Sequence, residues 1–467
     1  MPDLNSQIKE LIRDFSSSLL MVGIYTIQHP RAKSALDNLY GQFLNIFKDT
    51  DELHLGVVGD EIFSGSNIFF DLTSQVKDFI NVLKEKNLEF IRFKKGLSIE
   101  ELCNFLEELS KRKKEDCQDF SETITKDARF VHIRTGRFGQ KAEDVLPIKD
   151  ENLKNKILQI HSLYQKQLDE VSSIMTKDIL SQEADYSSLL TVATQLFNLS
   201  VHHQNSLFIL SGLKKHDDYT FVHCVNTAIL TMFQARILGL ADADIVKLGI
   251  AAFLHDIGKI AIRRVLLDKK DTLTDAEFRE IKNHIILGSK LLLKSPRTEK
   301  LFLIVNFQHH IGFNLKGYPK TKFLRRQNLA SRLVSISDVY DALRSRRSYR
   351  EGLSLEGLYD IMKKEKGRLF DPYLLELFFK NLGVWPVGTL VMLDTKEVGL
   401  VVKNNPEDIF RPEVEIFFNE QGNKLKESFK VDLTQKNGKE EFTRRIRRHL
   451  NPSGEGQKYV TELFGEI

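Results

Sequence analysis

FLHDIGKIAI, Phe253–Ile262, is the stretch on which the reading of this chain turns. It continues the apolar run IVKLGIAA and holds one His-Asp step, His255-Asp256. A carboxylate in such surroundings is costly unless it is paired or bound to metal. VSISDVYDAL, Val334–Leu343, repeats the arrangement around Asp338. Between them lie His284 and the pair His309-His310, and His223 precedes them. Eight of the 13 histidines fall between positions 202 and 310. Imidazoles and carboxylates converging from apolar helices, without thiolates, suit Fe, Mn, Zn or Ni rather than a structural zinc finger. A carboxylate can bridge two ions, and a pair of ions can activate water for an in-line phosphoryl displacement. A single buried histidine is more often a satisfied core residue. His29, His54, His132, His161, His202, His203 and His449 are read that way, and His216 as a loop residue. Joint occurrence on apolar segments, together with the resemblance described below, reverses the odds for His223, His255, Asp256, His284, His309, His310 and Asp338.

Working outward, residues 201–382 are helical in pattern throughout. Thr274 and Glu277 form a capping box in LTDAEF. Gly239, Gly288 and Gly383 stand at expected helix ends. Residues 1–145 read as a mixed α/β module. Ile8, Leu11, Ile12, Phe15 and Leu19 repeat at helical spacing. LHLGVVGDEIFSGSNIFF (53–70) reads as strands with turns at Gly59-Asp60 and Gly65-Ser66, and 89–93 as another strand. A capping box at Ser98 and Glu101 opens a helix, and 130–136 closes the sheet. Residues 146–200 form a helical linker, a possible dimer seam. After Trp385-Pro386 come short β runs, so 387–467 is a small β-rich module followed by a basic helix at Arg444, Arg445, Arg447 and Arg448. Those arginines read as a solvated face. The expected fold is therefore multidomain: an α/β N-terminal module, an all-α bundle in the centre and a β-rich C-terminal appendage.

The bulk composition agrees. A chain of 467 residues exceeds one ordinary core. Lys and Arg number 68 and Asp and Glu 64, an imbalance too small for a nucleic-acid footprint, so no DNA partner is expected. Cys103, Cys117 and Cys224 show no CxxC spacing, which fits a reducing cytoplasm. The start lacks a basic signal-peptide region, and Ser18–Ile27 is too short to span a bilayer.

From about Tyr219 to Pro372 the chain resembles the HD-GYP family of HD metal-dependent phosphohydrolases. The pieces occur in family order: YTFVHCVN, FLHDIGKI, LTDAEFREIKNHIILG, HHIGFNLKGYP, SISDVYDALRSRRSYR and FDP. The resemblance implies a helical bundle around two divalent ions, iron or manganese. Their ligands would be His223, His255, Asp256, His284, His309, His310 and Asp338, with Asp256 bridging and orienting the nucleophile. Lys259, Gly317, Tyr318, Pro319, Asp341, Arg347 and Arg350 would face the substrate, and Lys259 would also assist catalysis. The implied reaction is hydrolysis of cyclic di-GMP to a linear dinucleotide or GMP in bacterial signalling. Partner proteins and a homodimer are compatible with modules on either side.

Three departures stand out. Tyr219 replaces a glutamate that supports a third metal in some members, so two metals are expected. Ile311 follows His309-His310 where the family has glutamate. Asn314 and Leu315 replace the Asp and Gly of the DGxGYP loop, and Leu315 is expected to resist the positive φ that glycine allows. These changes leave alternatives: a domain that binds a cyclic dinucleotide or a protein without cleavage, a phosphohydrolase of another nucleotide, or a scaffold with a structural metal core.

Overall fold

The computed structural model describes residues 3–139 apart from 66, 70, 73, 74 and 112–119; then 166, 168–171, 173 and 187–202; then 219–464 apart from 268, 270, 296, 297, 346–353 and 453. It divides into two units, Met1–Lys141 with Arg236–Asp244, and Ala142–Ala235 with Ile245–Ile467.

The first unit is α/β. Helices α1 (Leu4–Ile24) and α2 (Pro30–Ile46) precede a sheet built from β1 (Glu52–Val58), β2 (Glu61–Ser64), β3 (Asn67–Ile68), β4 (Phe90–Lys94) and β5 (Ile133–Gly136). Helices α3 (Lys77–Glu85), α4 (Ile99–Ser110) and α5 (Phe120–Lys126) interleave with the later strands. The strand order is β3-β2-β1-β4-β5, with antiparallel pairing throughout. Asp3 caps α1 by accepting from the Ser6 amide, and Ile8, Leu11, Ile12, Phe15 and Leu19 form its buried stripe. Val58 pairs with Glu61 across a two-residue turn that Gly59 enters at φ +62°, a hairpin geometry that glycine permits without strain. The box at α4 is half formed. Ser98 accepts from the Glu101 amide, but the Glu101 carboxylate accepts instead from the backbone and ring nitrogens of His132, at 2.6 and 2.9 Å. His54 on β1 is buried between the rings of Phe63 and Phe90, 5.7 and 5.6 Å away, and neither of its nitrogens has a hydrogen-bond partner.

In the second unit the helices run in the order α6 (Ser187–His202), α7 (Tyr219–Ile237), α8 (Asp242–Phe253), α9 (Arg264–Leu267), α10 (Asp275–Lys282), α11 (His284–Lys294), α12 (Lys300–Gln308), α13 (Leu329–Ser345), α14 (Leu355–Lys364) and α15 (Pro372–Leu382). The complete capping box of Thr274 and Glu277 opens α10. Gly239 (φ +67°) and Gly383 (φ +76°) follow helix ends as expected. Gly288 does not; it lies inside α11, where a Cβ would stand 2.5 Å from the Asn306 amide. Close packing, not termination, requires glycine there.

The C-terminal part is a five-stranded antiparallel sheet, β6 (Leu390–Leu393), β7 (Val398–Lys403), β8 (Glu413–Phe418), β9 (Lys424–Asp432) and β10 (Ile446–His449), in the order β10-β6-β7-β8-β9, followed by α16 (Gln457–Phe464). The basic helix expected at 444–448 is a strand. Ile446 pairs with Leu393 and Arg448 with Met392, because β6 offers an unpaired edge. Arg444 is ion-paired to Glu397 (2.8 Å) and Arg448 to Glu455. The sheet core, with Trp385, Val401, Val414 and Ile416, also takes in Leu355 and Tyr359 of α14. The Asn404 amide donates to the Asn381 and Leu382 carbonyls at 3.0 and 2.7 Å, satisfying the end of α15. Most of the 146–200 linker lies outside the described residues.

Candidate metal centre

Five segments of the second unit converge. Helix α7 supplies His223, α11 begins with His284, α12 ends against His309 and His310, and α13 carries Asp338. His255 and Asp256 lie past the end of α8, and Lys259 falls in the 3-10 turn Ile257–Ala261 that follows. Gly258 lets that turn lie directly on α11. A Cβ there would meet the His284 carbonyl at 1.8 Å and the Gly288 nitrogen at 2.5 Å. The two glycines thus bring Asp256 beside His284.

Three of the imidazoles are oriented by a common device. His255 Nδ1 bonds the Ala252 carbonyl (2.6 Å), His284 Nδ1 that of Ile281 (2.7 Å) and His309 Nδ1 that of Asn306 (2.9 Å), each three residues back. A carbonyl only accepts, so Nδ1 carries a proton, and in the neutral ring Nε2 is the nitrogen left with a lone pair. Those three Nε2 atoms and Asp256 Oδ1 are buried without a hydrogen-bond partner. Buried polar atoms are seldom left so. Partnerless, preoriented lone pairs are what a metal ion requires.

Asp256 divides the cluster. Its Oδ1 faces Nε2 of His284 (3.2 Å) and His309 (3.8 Å). Its Oδ2 faces Nε2 of His255 (3.2 Å) and His223 (3.9 Å), and also Lys259. Asp338 Oδ1 lies 3.0 Å from His223 Nε2 and 3.9 Å from His255 Nε2, and Asp338 Oδ2 lies 3.9 Å from His310 Nδ1. Among the described residues, three groups have donor atoms close enough to share an ion: Asp256, His284, His309 and His310; His223, His255 and Asp256; and His255, His309 and Asp338. The donor set of neutral imidazole and carboxylate fits a divalent cation.

Electrostatics separates the groups. Burial, with His310 and His255 nearby, holds the His309 pKa well below the usual range. Burial likewise brings His310 down to about 4 and lowers His284. Burial opposes charge on His223 too, but hydrogen bonds to Asp338 and Asp341 outweigh it and raise that ring to about 9. Burial works against the Asp256 carboxylate, yet Lys259 and His255 hold its pKa well below the usual value. Lys259 stays protonated despite burial because it faces Asp256 and Asp338.

Gly317 and Tyr318 border the cluster, and Pro319 follows Tyr318 through a cis peptide. The Tyr318 ring lies 4.7 Å from His310 and 6.4 Å from His284. Gly317 and Tyr318 donate backbone hydrogen bonds to the carbonyls of Ile311 (2.6 Å) and His310 (3.0 Å). Leu315 adopts φ +61° after all. Phe313 and Asn314 are held by the Leu369 and Arg368 carbonyls, both at 3.0 Å, and the Asn314 side chain accepts from the Lys316 amide at 3.0 Å. These bonds impose the turn that leucine disfavours. Asp341, expected at the substrate, stands behind His223: its Oδ2 is 2.8 Å from Nδ1. Arg347 and Arg350 lie outside the described residues. Sequence reading missed Asn226, which donates to Asp341, and Asn306, which donates to the His255 carbonyl, both at 2.8 Å. The spacing of Asn226, one turn after His223, was the available signal. The carbonyls that orient the rings leave no trace in residue type.

Comparisons with known proteins agree with this geometry. Residues 213–374 match the family model of the HD domain, and residues 390–439 match that of the KOW domain associated with HD domain. A cyclic di-GMP phosphodiesterase of Pseudomonas aeruginosa is 32% identical over 239 residues, 51% of this chain and 58% of the relative. A 3'3'-cGAMP-specific phosphodiesterase of Vibrio cholerae is 31% identical over 168 residues, 36% of each chain. A cyclic di-GMP phosphodiesterase of Thermotoga maritima is 31% identical over 176 residues, 37% of this chain and 48% of the relative. The matches thus cover between about a third and three fifths of those relatives. The residues that carry the cluster thus fall within the part of the chain that matches the HD domain.

Proposed function

We propose that this chain is a binuclear-metal phosphodiesterase that opens cyclic di-GMP or a related cyclic dinucleotide, giving pGpG, GMP or both. The observation that carries this reading is Asp256, whose two buried oxygens face two different sets of oriented Nε2 atoms. His223, His255 and Asp338 would hold one ion with Asp256, and His284, His309 and His310 the other. Iron or manganese suits these ligands. Two such ions supply a water of lowered pKa and charge stabilisation at the reacting phosphate. Asp256 would orient the attacking water. Lys259 keeps its ammonium charge at the edge of the cluster, where it offsets charge on a phosphate oxygen as the transition state forms. Tyr318, with Gly317 and Pro319, forms the adjoining wall against which the substrate lies. Arg347 and Arg350 contribute further phosphate contacts. We place the enzyme in the cytoplasm, assign residues 1–145 to sensing, docking or dimerisation, and treat the HD-GYP unit as spanning residues 201–382.

A second reading, binding of the cyclic dinucleotide without cleavage, draws on Asn314 and on Leu315 held at positive φ. One experiment separates the two. The protein is purified anaerobically, metals are counted, and cyclic di-GMP and 3'3'-cGAMP are followed by chromatography with Fe(II) or Mn(II). Two metals per chain with a linear or mononucleotide product is the expected outcome. Two metals, tight nucleotide binding and no product would select the second reading. No metal would overturn both.

A further inference from the structure

His223 differs from the other rings of the cluster. His255, His284 and His309 direct Nδ1 to backbone carbonyls of their own segments. His223 directs Nδ1 to a carboxylate on another helix, Asp341 of α13, at 2.8 Å. Asp341 is 2% exposed, and its second oxygen accepts from the Asn226 amide at 2.8 Å. Two pairs interlock here. His223 and Asn226 are three apart on α7, and Asp338 and Asp341 are three apart on α13, so each pair shares one helix face. The imidazole of His223 lies between the two carboxylates, with Nδ1 toward Asp341 and Nε2 toward Asp338 and the cluster.

We infer that Asp341 and Asn226 form a positioning pair for His223: Asp341 fixes the Nδ1-protonated tautomer that turns Nε2 to the metal, and Asn226 holds Asp341 in place. This rests on the metal-centre reading of the site and revises the place of Asp341 in it. The reason is chemical. A carboxylate accepts and cannot donate, so Nδ1 keeps its proton against Asp341, while the proton that Nε2 shares with Asp338 is the one an ion would displace. It also makes the imidazole a stronger ligand, and loss of such outer partners costs on the order of 10- to 100-fold in metal affinity. His255, His284 and His309 receive a weaker version of this support from neutral carbonyls. His223 is therefore the ligand most exposed to a side-chain substitution outside the cluster.

The test compares wild type with Asp341→Ala, Asp341→Asn and Asn226→Ala. Mn(II) affinity is measured by competition with a chelator, and the tautomer of the neutral His223 ring by nitrogen-15 NMR of metal-free protein above pH 9. Wild type should show Nδ1-protonated His223. Asp341→Ala should lose that tautomer and bind the weaker-held ion roughly 10- to 100-fold less tightly. Asp341→Asn, whose carbonyl oxygen still accepts, should recover most of the affinity, and Asn226→Ala should show a smaller loss. Unchanged affinity and tautomer in a folded Asp341→Ala protein would overturn the inference. So would Asp341→Asn behaving like Asp341→Ala, which would mark a purely structural or charge role. Wild-type protein that binds Mn(II) but hydrolyses no cyclic dinucleotide would defeat the proposed reaction and leave this pair standing. Wild-type protein that binds no metal would overturn both.

Discussion

His54 in the first unit and His255 in the second are both buried imidazoles with nitrogens that make no hydrogen bond. Their surroundings differ. His54 has neither nitrogen satisfied, lies between two phenylalanine rings, and is held neutral by burial and by the nearby Arg92, with a pKa of about 3. His255 has Nδ1 tied to a carbonyl, and its Nε2 is 3.2 Å from Asp256. The first is an aromatic core residue that tolerates its lost hydrogen bonds. The second has been aimed. The lesson is that an unpaired buried nitrogen points to a ligand only when the other nitrogen is held and the free one meets further donor atoms.

The largest expected effect breaks the centre at its dividing residue. Asp256→Ala removes an oxygen from each half of the cluster, and hydrolysis should fall by roughly a thousandfold or more, about 4 kcal/mol of transition-state stabilisation. Metal content should fall with it. Full activity in that variant would remove Asp256 from the mechanism. Chelation should act next. Metal at a thousandfold excess over its dissociation constant stabilises the fold that binds it by about 4 kcal/mol. Hydrogen exchange should therefore rise in α7, α8 and α12 on metal removal while β1 and β4 stay unchanged. Equal loosening of the first unit would erase the contrast between the two regions.

His54 gives the middle effect, with a definite sign. Its folded pKa of about 3 lies below the ordinary 6.5, so the unfolded chain binds the proton more readily. The contribution of this site to stability is complete above pH 6.5 and declines as pH falls toward 3. Between pH 7 and 5 the loss is about 2 kcal/mol. His54→Phe should remove that part of the pH dependence in exchange from β1 and β4. An unchanged acid response in His54→Phe would show that the ring is not buried neutral. The smallest effect concerns a backbone shape that occurs in both units. Gly59 turns the β1–β2 hairpin at φ +62°, and Leu315 holds φ +61° beside the centre. Leucine there costs about 1–2 kcal/mol, partly offset by the greater unfolded freedom of glycine. Leu315→Gly should thus stabilise the metal-bound protein by about 1 kcal/mol in thermal unfolding and raise turnover a few fold. A lower melting temperature would mean that the leucine side chain supports the loop more than its backbone strains it.

The sequence by itself picked out the His and Asp residues that the fold gathers into one cluster, and most of the layout of helices and strands. It could do so because apolar periodicity and capping residues are properties of residue type and spacing, and because the ordered His and Asp positions resemble those of a known family. His223, His255, Asp256, His284, His309, His310 and Asp338 were legible for that reason. Only the tertiary structure decided how each ring is turned, since the Ala252, Ile281 and Asn306 carbonyls belong to the backbone and carry no signature in the sequence. It also decided that Gly258 and Gly288 serve close packing and that Leu315 accepts a glycine-like φ next to the amides of 313 and 314, which donate to the 369 and 368 carbonyls. The 446–449 segment became a strand because the edge of β6 was there to pair with it. In each case the deciding contact comes from a segment distant in sequence or from a backbone atom that every residue shares.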